Sequence, residues 1–218
     1  MNRAPNFNRL ARVYRWLELV TFGPMLARCR FTFLGDLRTC RNALVLGDGD
    51  GRFTARLLAE NPGVLVDAVD ASDAMLNALV RNAGPHADRI RIHQADIREW
   101  KPANRHYDLI ATHFFLDCLS TNEISDLAQR LRAYLTDQAQ WVISEFAVPE
   151  GRFAQLLARP LISALYVAFN LLTGLTQSSL PNYREALTEA GFKLVRQRSA
   201  CDGLLRSETW SPAAQDPP

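Results

Sequence analysis

Short apolar runs alternate with amphipathic stretches along the chain from residue 42 onward. The apolar runs are typical of buried parallel strands and lie at 43–46, 64–70, 90–92, 107–111 and 141–144. The stretches between them carry apolar residues at helical spacing and predict helices over 53–60, 74–79 and 122–134. Strands and helices that alternate this regularly predict an α/β fold. We expect a Rossmann-like, mostly parallel seven-stranded sheet with helices on both faces.

Both ends of the chain depart from this alternation. Residues 1–41 are basic and carry an apolar stripe at helical spacing, which predicts an N-terminal helical cap. Toward the other end, a predicted helix over 183–190 is followed by two strands between 192 and 210, which we expect to pair as a hairpin. We therefore place the main domain at 42–210. The polar, proline-rich residues 211–218 are expected to form a disordered tail.

An apolar insertion, residues 150–180, follows the fifth strand. Arg159, Pro160 and Asn170 interrupt it, so its clean apolar run is shorter than the roughly 20 residues that a membrane span needs. We interpret the insertion as an apolar helical lid that would wall a lipophilic substrate. A pair of core-packing helices is the alternative. Together with the basic N-terminus, the segment could also touch an anionic membrane surface, which is a third and weaker interpretation.

Composition and charge narrow the class of protein. The 218 residues are 48% hydrophobic and 22% charged, which excludes a disordered chain, a collagen-like chain and a disulfide scaffold. The formal net charge of +2 argues against a dedicated nucleic-acid binder. The four cysteines are far apart and form no CxxC pair, so we expect reduced thiols, no metal site and a cytoplasmic location. The N-terminus does not have the pattern of a signal peptide.

The strongest chemical signal is the loop Gly47-Asp48-Gly49-Asp50-Gly51, directly after the first predicted strand. Glycines at this spacing let the backbone turn tightly and approach a ligand closely. An acid, Asp70, ends the second predicted strand, 19 residues beyond Gly51. A carboxylate there can accept both hydroxyls of a ribose. The sequence therefore predicts a site for a ligand that contains a nucleoside.

The loop also indicates which class of nucleoside-containing ligand it binds. Arg52 stands where a dinucleotide fold has its third glycine, and Asp48 and Asp50 would repel a pyrophosphate. The same carboxylates are compatible with a cationic ligand such as a sulfonium. No Gly-Lys-Ser/Thr follows, which excludes a phosphate-binding P-loop. An NAD-dependent oxidoreductase is thus an alternative against which the loop argues.

At this point the sequence resembles the class I S-adenosylmethionine-dependent methyltransferases, over about residues 42–145. The matching motifs are 47–51, 69–72, 94–97 and 107–112. In that family the glycine loop faces the methionine half of S-adenosylmethionine, the acid of the second strand holds the ribose, and the third motif contacts the adenine. Many members carry an acid two residues before the first glycine, where this chain has Val45, and Asp48 is the candidate to replace it.

The resemblance implies a set of cofactor contacts. Residues 7–14 are similar to the start of the ubiquinone/menaquinone-biosynthesis C-methyltransferase branch, in which this helix and its tyrosine help close the cofactor pocket. The implied cofactor-binding residues are Gly47, Asp48, Gly49, Gly51, Asp70, Ala71, Asp96, Ile97, Thr112 and Tyr14.

Three side chains are candidates for catalysis. His113 and Asp117 follow the fourth predicted strand, and Glu145 ends the fifth. Ligands of open α/β sheets lie beyond the carboxyl ends of the strands, so these groups could face the acceptor. A histidine near neutrality suits a general base. Methyl transfer can also proceed without a base, because the sulfonium is a good leaving group and alignment supplies much of the rate.

We therefore expect an enzyme that transfers the methyl group of S-adenosylmethionine to a small, apolar or aromatic acceptor by in-line displacement at O, N or C. A protein that binds S-adenosylmethionine without catalysis is the alternative from another class. A nucleic-acid methyltransferase is disfavoured because the chain has neither an Asn/Asp-Pro-Pro-Tyr/Phe motif nor a Pro-Cys nucleophile.

Overall fold

The computed structural model describes residues 24–102, 106–147 and 180–213. The expectations for Tyr14 and for the disordered tail beyond residue 213 lie outside these ranges. The expectations for the first part of the helical cap and for nearly all of the lid also lie outside the described ranges.

The described residues alternate between strands and helices as the sequence predicts. The strands are β1 (Asn42–Leu46), β2 (Leu65–Asp70), β3 (Ile90–Gln94), β4 (Tyr107–His113), β5 (Leu135–Phe146), β6 (Phe192–Ala200) and β7 (Leu205–Pro212). The α-helices are α1 (Pro24–Arg30), α2 (Arg52–Glu60), α3 (Asp73–Ala83), α4 (Thr121–Arg132) and α5 (Tyr183–Glu189). Short 3-10 turns lie at Leu34–Leu37, Gly84–Arg89, Leu116–Cys118 and Cys201–Gly203.

The seven strands form one sheet in the order β3-β2-β1-β4-β5-β7-β6. Strands β1 to β5 are parallel, and β7 pairs antiparallel with both β5 and β6. The predicted Rossmann-like sheet and the C-terminal hairpin are both confirmed. The chain leaves β1 in one direction toward β3 and then returns to place β4 on the other side of β1. A ligand crevice forms at such a reversal, beyond the carboxyl ends of the strands.

Two strand boundaries differ from the expectation. Strand β5 begins at Leu135, before the predicted start, because its first residues are polar and carry no apolar signal. Strand β7 continues to Pro212, which pairs with Phe192, and the N–H of Ala213 donates to the carbonyl of Gly191 at 2.8 Å. The first two residues of the expected tail therefore belong to the sheet. Pro212 is tolerated there because the pairing of β7 with β5 ends at Trp210, so Pro212 has a neighbouring strand on one side only.

Apolar side chains cover the sheet on both faces. Along β5, Trp141 and Ile143 point into the core under α4 and α5, whereas Val142 points into the opposite core under α2 and α3. Helix α3 begins as predicted at Ser72, whose hydroxyl accepts from the N–H of Met75 at 3.3 Å. No helix within the described ranges is long and apolar enough to cross a lipid bilayer.

Candidate functional site

The glycine loop forms the floor of the crevice at the carboxyl end of β1. Gly47, Gly49 and Gly51 all have positive φ angles, of 61°, 60° and 80°. A Cβ on Gly47 would meet the ring of Phe115 at 2.0 Å, and one on Gly51 would meet the Cα of Leu79 at 2.6 Å. At Gly49, by contrast, no described atom lies within 4 Å of such a Cβ. Among the described residues, nothing packs against the middle of the loop, so a ligand can approach the backbone there.

Asp48 lies inside the loop and not on its surface. Its side chain is buried, and Oδ2 accepts from the backbone N–H and from the hydroxyl of Thr54, both at 2.8 Å. These bonds satisfy a free N–H in the first turn of α2. Burial raises the pKa of Asp48, and the positive charge of Arg30 opposes this rise. The other oxygen, Oδ1, is buried and has no hydrogen-bond partner among the described residues.

Asp70 stands at the carboxyl end of β2, the neighbour of β1. Its Oδ1 accepts from the N–H of Ser72 at 2.8 Å, which fixes the turn into α3. The carboxyl is partly exposed, and burial raises its pKa to about 6. Ala71 beside it is exposed. Asp70 thus combines a fixed position with a carboxylate that a ligand can reach from the glycine loop.

The motif implies that Asp96 and Ile97, after the end of β3, contact the adenine, but in the structure both side chains contact other parts of the protein. Asp96 is exposed, and its Oδ1 accepts from the N–H of Arg98 at 2.9 Å. The guanidinium of Arg98 lies 3.2 Å from the other oxygen and also pairs with Glu123. The positive charge of Arg98 therefore partly neutralises the carboxylate of Asp96. The side chain of Ile97 is buried in the core, so little of it is left to pack on a ligand.

Thr112 does not have the expected role. Its side chain is fully buried, and Oγ1 accepts from the indole N–H of Trp141 at 3.0 Å. The side chain therefore points into the core, and the expected contact with a cofactor through this hydroxyl is corrected to a structural bond.

His113 also lies inside the protein. Its ring is 3% exposed, packs 4.3 Å from the ring of Phe53, and places Nδ1 at 2.9 Å from Oγ of Ser144. Burial and the charge of Arg30 lower the pKa of His113 well below its usual value. Such an imidazole is neutral at pH 7 and a weak proton acceptor. A general base at this position stays a prediction, and the lowered pKa makes it a weaker base than an exposed histidine.

Glu145 supports the loop that follows β4. Its Oε1 accepts from the N–H of Phe115 at 3.0 Å and from the N–H of Leu116 at 2.8 Å. The side chain is buried, and burial together with the nearby Asp117 raises its pKa well above the usual value. The two bonds show that Glu145 positions this loop, and its expected role as a base stays a prediction. Phe115, which it holds, is the residue that covers Gly47.

Asp117 remains a candidate for proton transfer. It lies in the short turn Leu116–Cys118, and burial raises its pKa to about 6. The thiol of Cys118 donates to its Oδ1 at a long distance of 3.6 Å. A carboxylate with a pKa near 6 is ionised at pH 7 and more basic than an ordinary aspartate.

Arg30 is a residue of this region that the sequence pattern did not reveal. It ends α1, is buried, and places its guanidinium carbon 5.8 Å from the centre of the Phe114 ring. Its charge acts on both Asp48 and His113. Among the eight arginines before residue 42, no local pattern distinguishes Arg30, because its burial depends on packing between α1 and the ends of β4, β5 and β7.

Comparisons with known proteins agree with this geometry. A family model described as a methyltransferase domain matches residues 43–138. The chain is 28% identical over 174 residues to a malonyl-[acyl-carrier protein] O-methyltransferase of Paenibacillus sp. (strain JDR-2), covering 77% of this chain and 59% of that protein.

Solved structures show the same fold. An O-methyltransferase family protein from Burkholderia thailandensis has a TM-score of 0.70 at 13% identity, covering 96% of this chain and 61% of its own. CalO1, a methyltransferase in calicheamicin biosynthesis in an SAH-bound form, has a TM-score of 0.66 at 20% identity, covering 95% of this chain and 60% of its own. The chain thus spans about three fifths of the length of these proteins. Residues 43–138 thus match a methyltransferase domain, and this match together with the shared fold supports a class I S-adenosylmethionine-dependent methyltransferase.

Proposed function

We propose that the protein transfers the methyl group of S-adenosylmethionine to a small-molecule acceptor. The observation that carries the proposal is the glycine loop after β1, next to the end of β2 at Asp70, with no described atom within 4 Å of a Cβ placed on Gly49. The floor admits a ligand to the backbone, and the carboxylate offers acceptors for paired hydroxyls. When bound, S-adenosylmethionine supplies an electrophilic methyl group on a positively charged sulfur.

Each part of the cofactor binds at the end of a different strand. The glycine loop takes the methionine half, Asp70 the ribose and the end of β3 the adenine. Of the β3 residues, Asp96 is exposed beside Arg98, so the adenine edge meets an aspartate whose charge is already balanced. These assignments follow the family resemblance, and the positions of the loop and of Asp70 support them.

The acceptor binds near the carboxyl ends of β4 and β5. We assign Asp117 there as the group that receives the acceptor's proton where the acceptor has one to lose, because its pKa near 6 suits that role. The first acceptors to test are small hydroxyl or carboxyl compounds with an apolar or aromatic body. This choice rests on the similarity to a malonyl-[acyl-carrier protein] O-methyltransferase.

The proposal is tested by calorimetric titration with S-adenosylhomocysteine, the demethylated product. We expect micromolar binding by the wild type and at least about 10- to 150-fold weaker binding by Asp70→Ala, because each hydrogen bond to a charged group contributes about 1.5–3 kcal/mol. Asp73→Ala is the matched control: Asp73 is an exposed acid three residues away, and its loss should leave the affinity within about twofold of the wild type.

Two results would contradict the proposal. If the folded wild type does not bind S-adenosylhomocysteine, the assignment of S-adenosylmethionine as the cofactor is refuted. Binding of NAD in its place would favour an oxidoreductase. If S-adenosylhomocysteine binds but S-adenosylmethionine is never consumed with any acceptor, the alternative of a cofactor-binding protein without catalysis gains support.

The affinity for S-adenosylhomocysteine should depend on pH through Asp70. The pKa of Asp70 is raised to about 6, so the carboxylate that accepts the ribose hydroxyls is progressively protonated as the pH falls below 6. If only the ionised form binds, the affinity at pH 5 is about tenfold below that at pH 7. Titrations at pH 5, 6 and 7 measure this change. Asp70→Asn serves as the control, since an amide does not titrate; an equal loss in this variant would assign the pH dependence to another group.

A further inference from the structure

The side chain of Arg98 connects three segments around the ligand crevice. Its guanidinium contacts Asp96 in the loop after β3, Glu123 on α4 and the carbonyl oxygen of Cys118 in the turn after β4. In the proposed function the loop after β3 takes the adenine, and the turn after β4 carries Asp117, which receives the acceptor's proton. One side chain therefore contacts the protein at the cofactor end and at the acceptor end of the same site.

The three contacts of Arg98 differ in length. Nε donates to Oε1 of Glu123 at 2.5 Å. Nη1 lies 3.3 and 3.2 Å from the two carboxylate oxygens of Asp96, and Nη2 lies 3.4 Å from the carbonyl oxygen of Cys118. Hydrogen bonds from nitrogen to oxygen are typically about 2.7–3.2 Å long, so both outer contacts are long ones. The guanidinium is thus anchored on α4 and held weakly at its other two contacts.

The anchor on α4 is itself fixed. Oε2 of Glu123 accepts from the N–H of Ser120 at 2.7 Å and from its hydroxyl at 2.9 Å, which closes a capping box at the start of the helix. From the same helix, Arg130 donates to the carbonyl of Ile97 at 2.6 Å and to that of Arg98 at 3.1 Å. Because the backbone and Nε of Arg98 are both held by α4, rotation about this anchor is the movement left to the outer nitrogens.

We propose that Arg98 is a positioning residue that couples binding of the adenine amine at Asp96 to the turn Leu116–Cys118. The inference rests on the proposed function and adds a coupling within its site. The amine is a hydrogen-bond donor and competes with Nη1 for the oxygens of Asp96. The guanidinium then turns about its anchor toward the carbonyl of Cys118. Cofactor binding thereby tightens the turn that carries Asp117, and an acceptor that uses this turn raises the cofactor affinity by the same factor.

Alkylation of the Cys118 thiol reports on the turn. Burial and the charge of Asp117 raise the pKa of this thiol well above its usual value, so it reacts slowly unless the turn opens. Iodoacetamide is the probe, and peptide mass spectrometry gives the rate for each cysteine, without ligand and with saturating S-adenosylhomocysteine. Cys40 is buried in the core on the other face of the sheet and reports global unfolding in the same sample.

S-inosylhomocysteine is the control ligand, because it differs from S-adenosylhomocysteine only at the purine edge, where a carbonyl oxygen replaces the amine. We expect saturating S-adenosylhomocysteine to slow alkylation of Cys118 about 5- to 10-fold, and saturating S-inosylhomocysteine to slow it less than about twofold. The rate at Cys40 should be the same with both. Equal protection by the two ligands would show that the ligand merely shields the thiol, and no protection by either would show that no coupling exists. Both results overturn the inference.

The matched variants are Arg98→Met and Arg56→Met. Arg56 is an exposed arginine on α2 that pairs with Glu60 at 2.8 Å, so its loss also removes a surface ion pair. At saturating S-adenosylhomocysteine, Arg98→Met should lose the protection of Cys118, whereas Arg56→Met should keep it. A merely structural role of Arg98 would raise the rate with and without ligand alike and leave their ratio unchanged, which contradicts the inference.

The two comparisons support each other. If Arg98→Met does not fold, the two ligands on the wild type decide, and if S-inosylhomocysteine does not bind, the two variants decide. Failure of the proposed function looks different, because calorimetry then shows no binding of S-adenosylhomocysteine to the wild type at all.

Discussion

Replacement of Gly51 by alanine is expected to lower the free energy of unfolding by about 3 kcal/mol, from left-handed backbone strain and overpacking together. Gly51 begins α2 with a φ of 80°, a conformation that strains any residue with a Cβ. The new Cβ would also lie 2.6 Å from the Cα of Leu79, a backbone atom of α3 that cannot rotate away. The two helices must then separate. Equilibrium unfolding in urea measures the loss.

Gly84→Ala separates the two causes. Gly84 has a φ of 55°, but no described atom lies within 4 Å of its added Cβ. Its ψ of −121° differs from that of Gly51, so the strain of a positive φ remains without the contact, and we expect a smaller loss of about 1–2 kcal/mol. Equal losses for the two variants would show that contact with α3 contributes nothing at Gly51.

Replacement of Glu145 by alanine is expected to have the second large effect. The change removes the acceptor of two backbone N–H groups, those of Phe115 and Leu116, in a buried place. Each orphaned donor costs about 1–3 kcal/mol, so we expect a loss of about 3 kcal/mol in stability. Affinity for S-adenosylhomocysteine should fall as well, because Phe115 would no longer be held against Gly47. Urea unfolding and calorimetry measure the two quantities.

Glu145→Gln distinguishes support of the loop from proton transfer. Burial and the nearby Asp117 raise the pKa of Glu145 and so disfavour its ionised form, and a glutamine oxygen can accept the same two bonds. We therefore expect the variant to keep its stability within about 1 kcal/mol and to keep its turnover. Loss of a general base would instead reduce turnover at least about 100-fold.

The sequence predicts the strands and the loop because their signals are local. A buried strand is a run of apolar residues, and a loop that needs positive φ shows as glycines, so β1 and its glycine loop could be located without the rest of the chain. Ser72 as a helix cap is local in the same sense. Strand β5 was predicted too short because its start depends on pairing with β4, and Leu135 and its neighbours carry no signal of that pairing.

The roles of the side chains at the ends of β4 and β5 were not accessible in this way. Adjacent residues of a strand point to opposite faces, so Thr112 and His113 could not both face one crevice. Which partner each one meets depends on the register, which puts His113 opposite Ser144. Arg30 was hidden for a related reason, because an arginine in a basic segment resembles any solvated residue until the fold buries it. The contacts that the sequence could not predict are thus those that depend on strand pairing and tertiary packing.

The position of β7 between β5 and β6 has a consequence for how the protein is made. The ribosome synthesises β6 before β7, yet β6 contacts the sheet only through β7. During translation the edge of β5 therefore stays open, and β6 has no partner, until the last strand has emerged. Strands β1 to β5 can assemble earlier, since their pairings involve only residues already synthesised. Until Leu205–Pro212 is inserted, the growing chain exposes an unpaired strand edge of the kind that promotes aggregation.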